Sequence, residues 1–162
     1  IVTAGRCIAE MDDESVPLSA GTMVLLPHGD SFKLLSETGA HAEPLFDLPV
    51  EKISERYELM THGGGGEMTR AMAGVVQFDS VAGQRLLSVL PRVIRIEGWD
   101  ESLGDWVRST LGLISREASS LRPGGEIVMT RLADILVIQG VRTWLDSAPE
   151  SEQGWLAALR DP

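Results

Sequence analysis

Four features of the 162-residue sequence carry side chains able to do chemistry: the single cysteine Cys7, the histidines His28, His41 and His62, the glycine run Gly63–Gly66, and the carboxylates Glu51, Glu55 and Glu58 at helical spacing. A lone cysteine forms no internal disulfide and gives no argument for an oxidising compartment. A thiol nucleophile is one reading of Cys7, and a small buried residue is the simpler one. A metal needs ligands converging within about 2.0–2.2 Å, and the three histidines show neither His-x-His nor His-x-x-x-His spacing. Structural histidines account for them more cheaply. Phosphate loops follow a strand, open a helix and supply Lys-Ser or Lys-Thr after the last glycine. Here Glu67 follows and a strand pattern comes next, so the run reads as a tightly turned loop, with a pocket-lining loop as the second reading. An exposed acidic face explains the Glu51, Glu55, Glu58 series. No nucleophile elbow, zinc-protease helix or paired-carboxylate spacing occurs. Trp106 and Trp144 fall on apolar helix faces, where core or interface is the ordinary use of the indole.

The elements that would position these residues divide the chain by period. Ile1–Met11 is apolar and β-compatible, and Asp12–Ser15 reads as a hairpin turn. Val16–Gly21 leads into a strand at Thr22–Leu26, stopped by Pro27, and Ser31–Ser36 reads as another strand. From Glu37 to Glu58 the pattern lapses into a long excursion with a short helix over Val50–Glu58. His62–Gly66 then introduces a strand from Met68 to Asp79. Val81–Leu90 reads as a short helix ended by Pro91, and Val93–Ile96 as a brief strand. Asp100–Ser119 is amphipathic, with Leu103, Trp106, Val107, Leu111 and Ile114 on one face, and Ser102 with Asp105 resembles a capping box. Glu126–Ser147 is a longer helix, apolar nearly all round between Ile135 and Val141, which predicts burial on several sides. Gly112 and Gly140 would permit close helix crossing. Pro149 ends the helix, and Glu152–Arg160 reads as a final helical turn. Strands first and helices last predict an α+β fold, a small barrel or sandwich followed by a helical pair.

Composition narrows the function classes. Apolar residues make up 43% of the chain and charged residues 23%, which suffices for a core and excludes intrinsic disorder. No apolar run approaches the roughly 18 residues of a transmembrane helix. The net charge is −10, and residues 1–81 carry 5 basic against 13 acidic side chains. With no Lys/Arg cluster, the segment should repel DNA, RNA and anionic lipid. The chain begins at Ile1 in the middle of a strand pattern, as a fragment would.

Gly21-Thr-Met-Val-Leu-Leu-Pro27-His-Gly29-Asp-Ser-Phe32 resembles the second cupin motif, Gly-x5-Pro-x-Gly-x2-His. Gly21, Pro27 and Gly29 are in register, and Phe32 stands where ordinary cupins carry a metal-binding histidine. Taken in order, Gly5-Arg-Cys7, Leu25–Asp30, Gly63–Glu67 with Thr69-Arg70, Phe78-Asp79, Arg131–Asp134 and Gln139 resemble the cupin-type sensor domain of AraC-type transcription regulators. The resemblance implies a cupin-like β-barrel over residues 1–98 and an antiparallel helical pair over residues 99–162, together one domain. It also implies a small-molecule effector in the barrel, a homodimer, and a basic DNA-binding domain with two helix-turn-helix units beyond this chain.

On that reading the chain is a non-catalytic regulatory domain, cytoplasmic and bacterial, without cofactor, metal or membrane contact. Cys7, His28, Phe32 and His62 are the ligand-pocket candidates. Trp106, Leu111, Ile135, Val141 and Trp144 are the dimer-interface candidates. The alternative is a stand-alone metal-dependent cupin enzyme acting on a small organic substrate, with ligands upstream of Ile1. A third reading is a structural dimerisation module with a filled barrel.

Overall fold

The computed structural model describes residues 1–12, 14–55, 57–77, 81–120 and 122–147. The expectations at Phe78-Asp79, Pro149 and Glu152–Arg160 lie outside them. The strand half begins with β1 (Val2–Ala4), β2 (Arg6–Glu10), β3 (Ser15–Ser19), β4 (Met23–Leu25) and β5 (Lys33–Leu35). Strand β3 alternates strictly, Val16 and Leu18 buried against exposed Ser15, Pro17 and Ser19. Its register with β2 sets Leu18 opposite Cys7 and Val16 opposite Ala9. These four side chains, with Val2 and Met11, form one apolar cluster. The expected turn at residues 12–15 closes this hairpin, the Met11 amide donating to the Glu14 carbonyl at 2.8 Å. Pro17 is accommodated because β3 lies at the edge of the β3–β2–β5 sheet.

Two expectations fail in the middle of the chain. Val50–Glu58 is not helical: after a 3-10 turn at Leu45–Asp47, the segment forms a hairpin of β6 (Val50–Lys52) and β7 (Glu58–Met60). The Ile53 and Ser54 amides both donate to the Tyr57 carbonyl at 2.9 and 3.0 Å, closing the turn. Glu51 pairs with Leu59 and Glu58 with Lys52 in successive register positions, so the carboxylates do not line one helix face. The strand expected over Met68–Asp79 shortens to β8 (Arg70–Ala71), paired with β1. Met68 and Val75 on either side are 68% and 93% exposed, so burial supports no longer strand.

Next come α1 (Val81–Val89), β9 (Ile94–Ile96), α2 (Glu101–Ser120) and α3 (Gly125–Ser147). The cap of α2 differs from the expected Ser102–Asp105 box. Asp100 Oδ1 accepts from the Leu103 amide at 2.9 Å and from Ser102 Oγ at 3.0 Å, whereas Asp105 pairs with Arg108 one turn on. The apolar face of α2 is as read: Val107, Leu111 and Ile114 are buried and pack with Met129 and Leu136 of α3. The expected burial of α3 between Ile135 and Val141 is met in part: Leu136 and Gly140 are buried and Val137 and Val141 half-buried, while Ile135 and Ile138 are 43% and 44% exposed.

The strands fall into four sheets, β1–β8, β3–β2–β5, β4–β9 and β6–β7, and do not close into a barrel among the described residues. Helix α3 holds the halves together. Its Val137, Val141 and Trp144 pack on Met23, Ile94 and Ile96 of the β4–β9 ribbon. At the crossing sits Gly140, where a Cβ would lie 3.0 Å from Ile96 Cδ1 and 3.3 Å from Met23 Sδ. The close approach expected of Gly140 is therefore to strands rather than to a helix, while Gly112 has open space.

A second close approach joins the ends of the strand half. At Gly5, which has φ of +73°, a Cβ would lie 2.4 Å from the Met68 carbonyl oxygen. Gly29 has a similar φ of +74° with nothing within 4 Å. Gly29→Ala should therefore cost only the left-handed penalty of roughly 1–2 kcal/mol. Gly5→Ala should cost distinctly more, because backbone must move, and equal losses in denaturant unfolding would contradict this packing.

Candidate functional site

The cupin-motif loop follows β4 directly. Pro27 stops the strand and Gly29 turns the chain, its amide donating to the Leu26 carbonyl at 3.0 Å. This return carries His28 and Asp30 to the segment between α1 and β9. His28 Nε2 lies 2.9 Å from the Leu90 carbonyl oxygen, and the two Asp30 carboxylate oxygens accept from Arg92 Nε and an Arg92 terminal nitrogen at 3.2 and 3.3 Å. The fork-to-carboxylate geometry holds the Asp30 carboxyl below the usual carboxylate range, first through the hydrogen bond from Arg92 and then through its charge. Loop and linker are thus clamped at two points.

The next residues open onto a groove of about 420 Å³ at the far end of the β2–β3 hairpin. Phe32 forms one wall, 46% exposed, and Glu10, Met11, Asp12, Glu14 and Lys33 form the others. Lys33 Nζ donates to Glu10 Oε1 at 3.2 Å, pairing two residues that line this groove. Its chemistry is acidic with an aromatic face.

The four ligand-pocket candidates occupy different surroundings. Cys7 points into the strand core, 9% exposed, and burial pushes its thiol up. His28 is held at the Leu90 carbonyl. Phe32 lines the groove, and His62 is exposed beside Gly63–Gly66. Neither groove described, this one or a smaller one at Val50 and Leu59, gathers Cys7, His28 and His62. Sequence reading missed Asp30 and Arg92, which are 62 residues apart. Only their opposite charges, 14 and 24 being the totals of each sign, were available as a signal, and charge alone selects no pair.

Cupins commonly hold a metal, and the second motif's ligand position here does not fit one. The Phe32 ring offers no lone pair, and the His28 nitrogen is directed at a backbone carbonyl. Among the described residues, no group of three or more His, Cys, Asp or Glu side chains is placed to hold an ion. No described helix is long and apolar enough to cross a membrane.

Of the dimer candidates, Ile135 is 43% exposed, and Leu111 is buried between α2 and α3. Trp106 is half-buried against the helical core, and Val141 and Trp144 are half-buried against β4 and β9. Ile127, Val128 and Ile138 extend the exposed apolar stripe around Ile135 and were not singled out from sequence.

The chain belongs to the cupin family, whose profile matches residues 1–146. Two curated relatives are similar to nearly the whole chain, both carrying the provisional name AraC-like transcription regulator. That from Streptomyces antibioticus is 29% identical and that from Streptomyces lividans 28%, each over 163 residues and 99% of this chain. The match covers 52% of either relative, so the chain spans about half their length. No solved structure matches it. The resemblance to the sensor domain of AraC-type regulators agrees with both comparisons.

The clamp has a pH signature. Asp30 and Asp100 both ionise more readily folded than unfolded, Asp100 chiefly because the Leu103 amide donates to it. A depressed folded pKa contributes stability that is present above the unfolded value of about 3.9 and is lost as pH falls through the folded value. Thermal melts should thus show an acid limb from about pH 4 downward, and Asp30→Asn with Asp100→Asn should flatten it. An acid limb of unchanged steepness would remove these two carboxylates from the account.

Proposed function

We propose that this chain is the sensor half of an AraC-like transcription regulator, binding a small-molecule effector in its strand half and pairing with a second copy through its helices. The observation carrying this reading is the match to two such regulators across 99% of the chain, with family membership over residues 1–146. Residues 1–98 would sense and residues 99–162 would pair. Such a protein works in the cytoplasm, where its remaining half meets DNA. The acidic balance of −10 supports that division, since phosphate contact requires basic side chains that this half does not cluster. The metal-dependent enzyme is the weaker reading, because Phe32 stands at the motif's ligand position.

Effector control requires that the ligand distinguish two states of the protein. The clamp of His28 and Asp30 on Leu90 and Arg92 is a suitable element. It links the cupin-motif loop to β9, and β9 packs beneath α3. A ligand displacing the loop would then act on the helix that carries the exposed stripe.

An effector screen by thermal shift tests the sensing half. A true effector at about 100 times its Kd should add about 2.7 kcal/mol, raising the midpoint by several degrees. A screen across metabolite classes without any shift would favour the purely structural dimerisation module.

The pairing half is tested by solution mass. Ile138→Glu places a charge in the middle of the exposed α3 stripe and should convert a dimer to a monomer without loss of fold. A dimer indifferent to that substitution, or a monomeric wild type at high concentration, would remove α3 as the interface.

A further inference from the structure

The β6–β7 hairpin and the 3-10 turn before it display apolar side chains that the other described residues leave uncovered. Phe46 is 98% exposed, Leu45 60%, Leu59 55% and Val50 44%. A two-stranded ribbon is marginal in water unless something packs on it. Here the hairpin turn is held at Tyr57, half-buried against the α2–α3 core, while every residue of β6 is exposed. The surroundings of the patch are acidic: residues 43–58 hold five carboxylates, Glu43, Asp47, Glu51, Glu55 and Glu58, against Lys52 and Arg56.

An exposed apolar centre with a net acidic rim specifies its partner through charge as well as shape. A second copy would set the same excess of carboxylates face to face across this patch and be repelled there, as would anionic lipid and nucleic acid. A partner surface with an apolar centre and basic surroundings fits. The part of a DNA-binding regulator that contacts phosphates is necessarily basic. We infer that the Phe46-centred face of the β6–β7 hairpin docks on the DNA-binding half of the same regulator. This rests on the regulator reading above. The contact would tie the hairpin, and through Tyr57 the α2–α3 core, to the half that reads DNA.

The test uses the full-length regulator. Phe46 is replaced by its benzoyl photo-crosslinking analogue, and irradiation is followed by digestion and mass spectrometry, with Ile127 on α3 replaced likewise for comparison. Position 46 should crosslink into the basic C-terminal half, with yield falling as salt rises, and position 127 should not. Crosslinks from position 46 to a second sensor half, or none at all, in a protein that still binds its DNA site would overturn the inference and leave the regulator reading intact. Absence of sequence-specific DNA binding by the unmodified protein would overturn both.

Discussion

The constraint on which the seating of α3 depends is the crossing of Gly140 over Ile96 and Met23, to which Ile1, Tyr57 and Met72 add contacts with the α2–α3 core. The missing side chain lets a 23-residue helix lie directly on the β4–β9 ribbon, so that Val137, Val141 and Trp144 pack on Met23, Ile94 and Ile96 on either side of it. Ile94 is fully buried in that contact. Burying a Val or Ile side chain contributes about 1.5–3 kcal/mol, against a glycine's helix cost of about 1 kcal/mol. The gain from seating the helix therefore exceeds the penalty of the residue that permits it.

Around that contact the rest of the molecule is arranged as attachments. Trp99 Nε1 donates to the Gly21 carbonyl at 2.8 Å, fixing the approach to α2 against the β3–β4 turn. The Asp30–Arg92 and His28–Leu90 contacts fix the cupin-motif loop to the approach of β9. The strand core of Cys7, Ala9, Val16 and Leu18 is joined to the ribbon through the half-buried Val24, Leu26 and Val93. A displacement of the motif loop thus has a short mechanical route to α3, through side chains in direct contact. This arrangement connects the motif loop to the helical pair. It also explains why α3 keeps an apolar face outward: the opposite face is committed to α2 and the ribbon.

Local signals in the sequence carried far where one hydrogen-bonding or burial rule dominated. Of the β2–β3 hairpin, the apolar first strand and its acidic turn were legible, whereas Val16–Gly21 read only as a lead into the next strand and its alternation shows as β3 in the fold. The helices α1, α2 and α3 were legible from period, Pro91 and the Arg122–Gly125 break. The hairpin at Val50–Met60 was not, because carboxylates at helical spacing there are equally compatible with two exposed strands, and Tyr57 finds its packing partner only in the α2–α3 core. The cap of α2 was misplaced by two residues because Asp100 and Ser102 are both good caps, and backbone direction chose between them.

By itself the sequence determined the class of protein: an acidic cupin chain with strands before helices and a second motif bearing Phe32 in place of histidine. Those properties reside in residue identity and order, which folding does not alter. Only the tertiary structure decided that the described strands form four short sheets rather than a closed barrel, that Cys7 is core while Phe32 is groove, and that α3 packs on α2 and the β4–β9 ribbon while Ile135 and Ile138 stay exposed. Each of these depends on contacts between residues far apart in the chain, such as Gly140 with Ile96 or Asp30 with Arg92. No local period encodes such contacts, because their energy exists only once the elements have met.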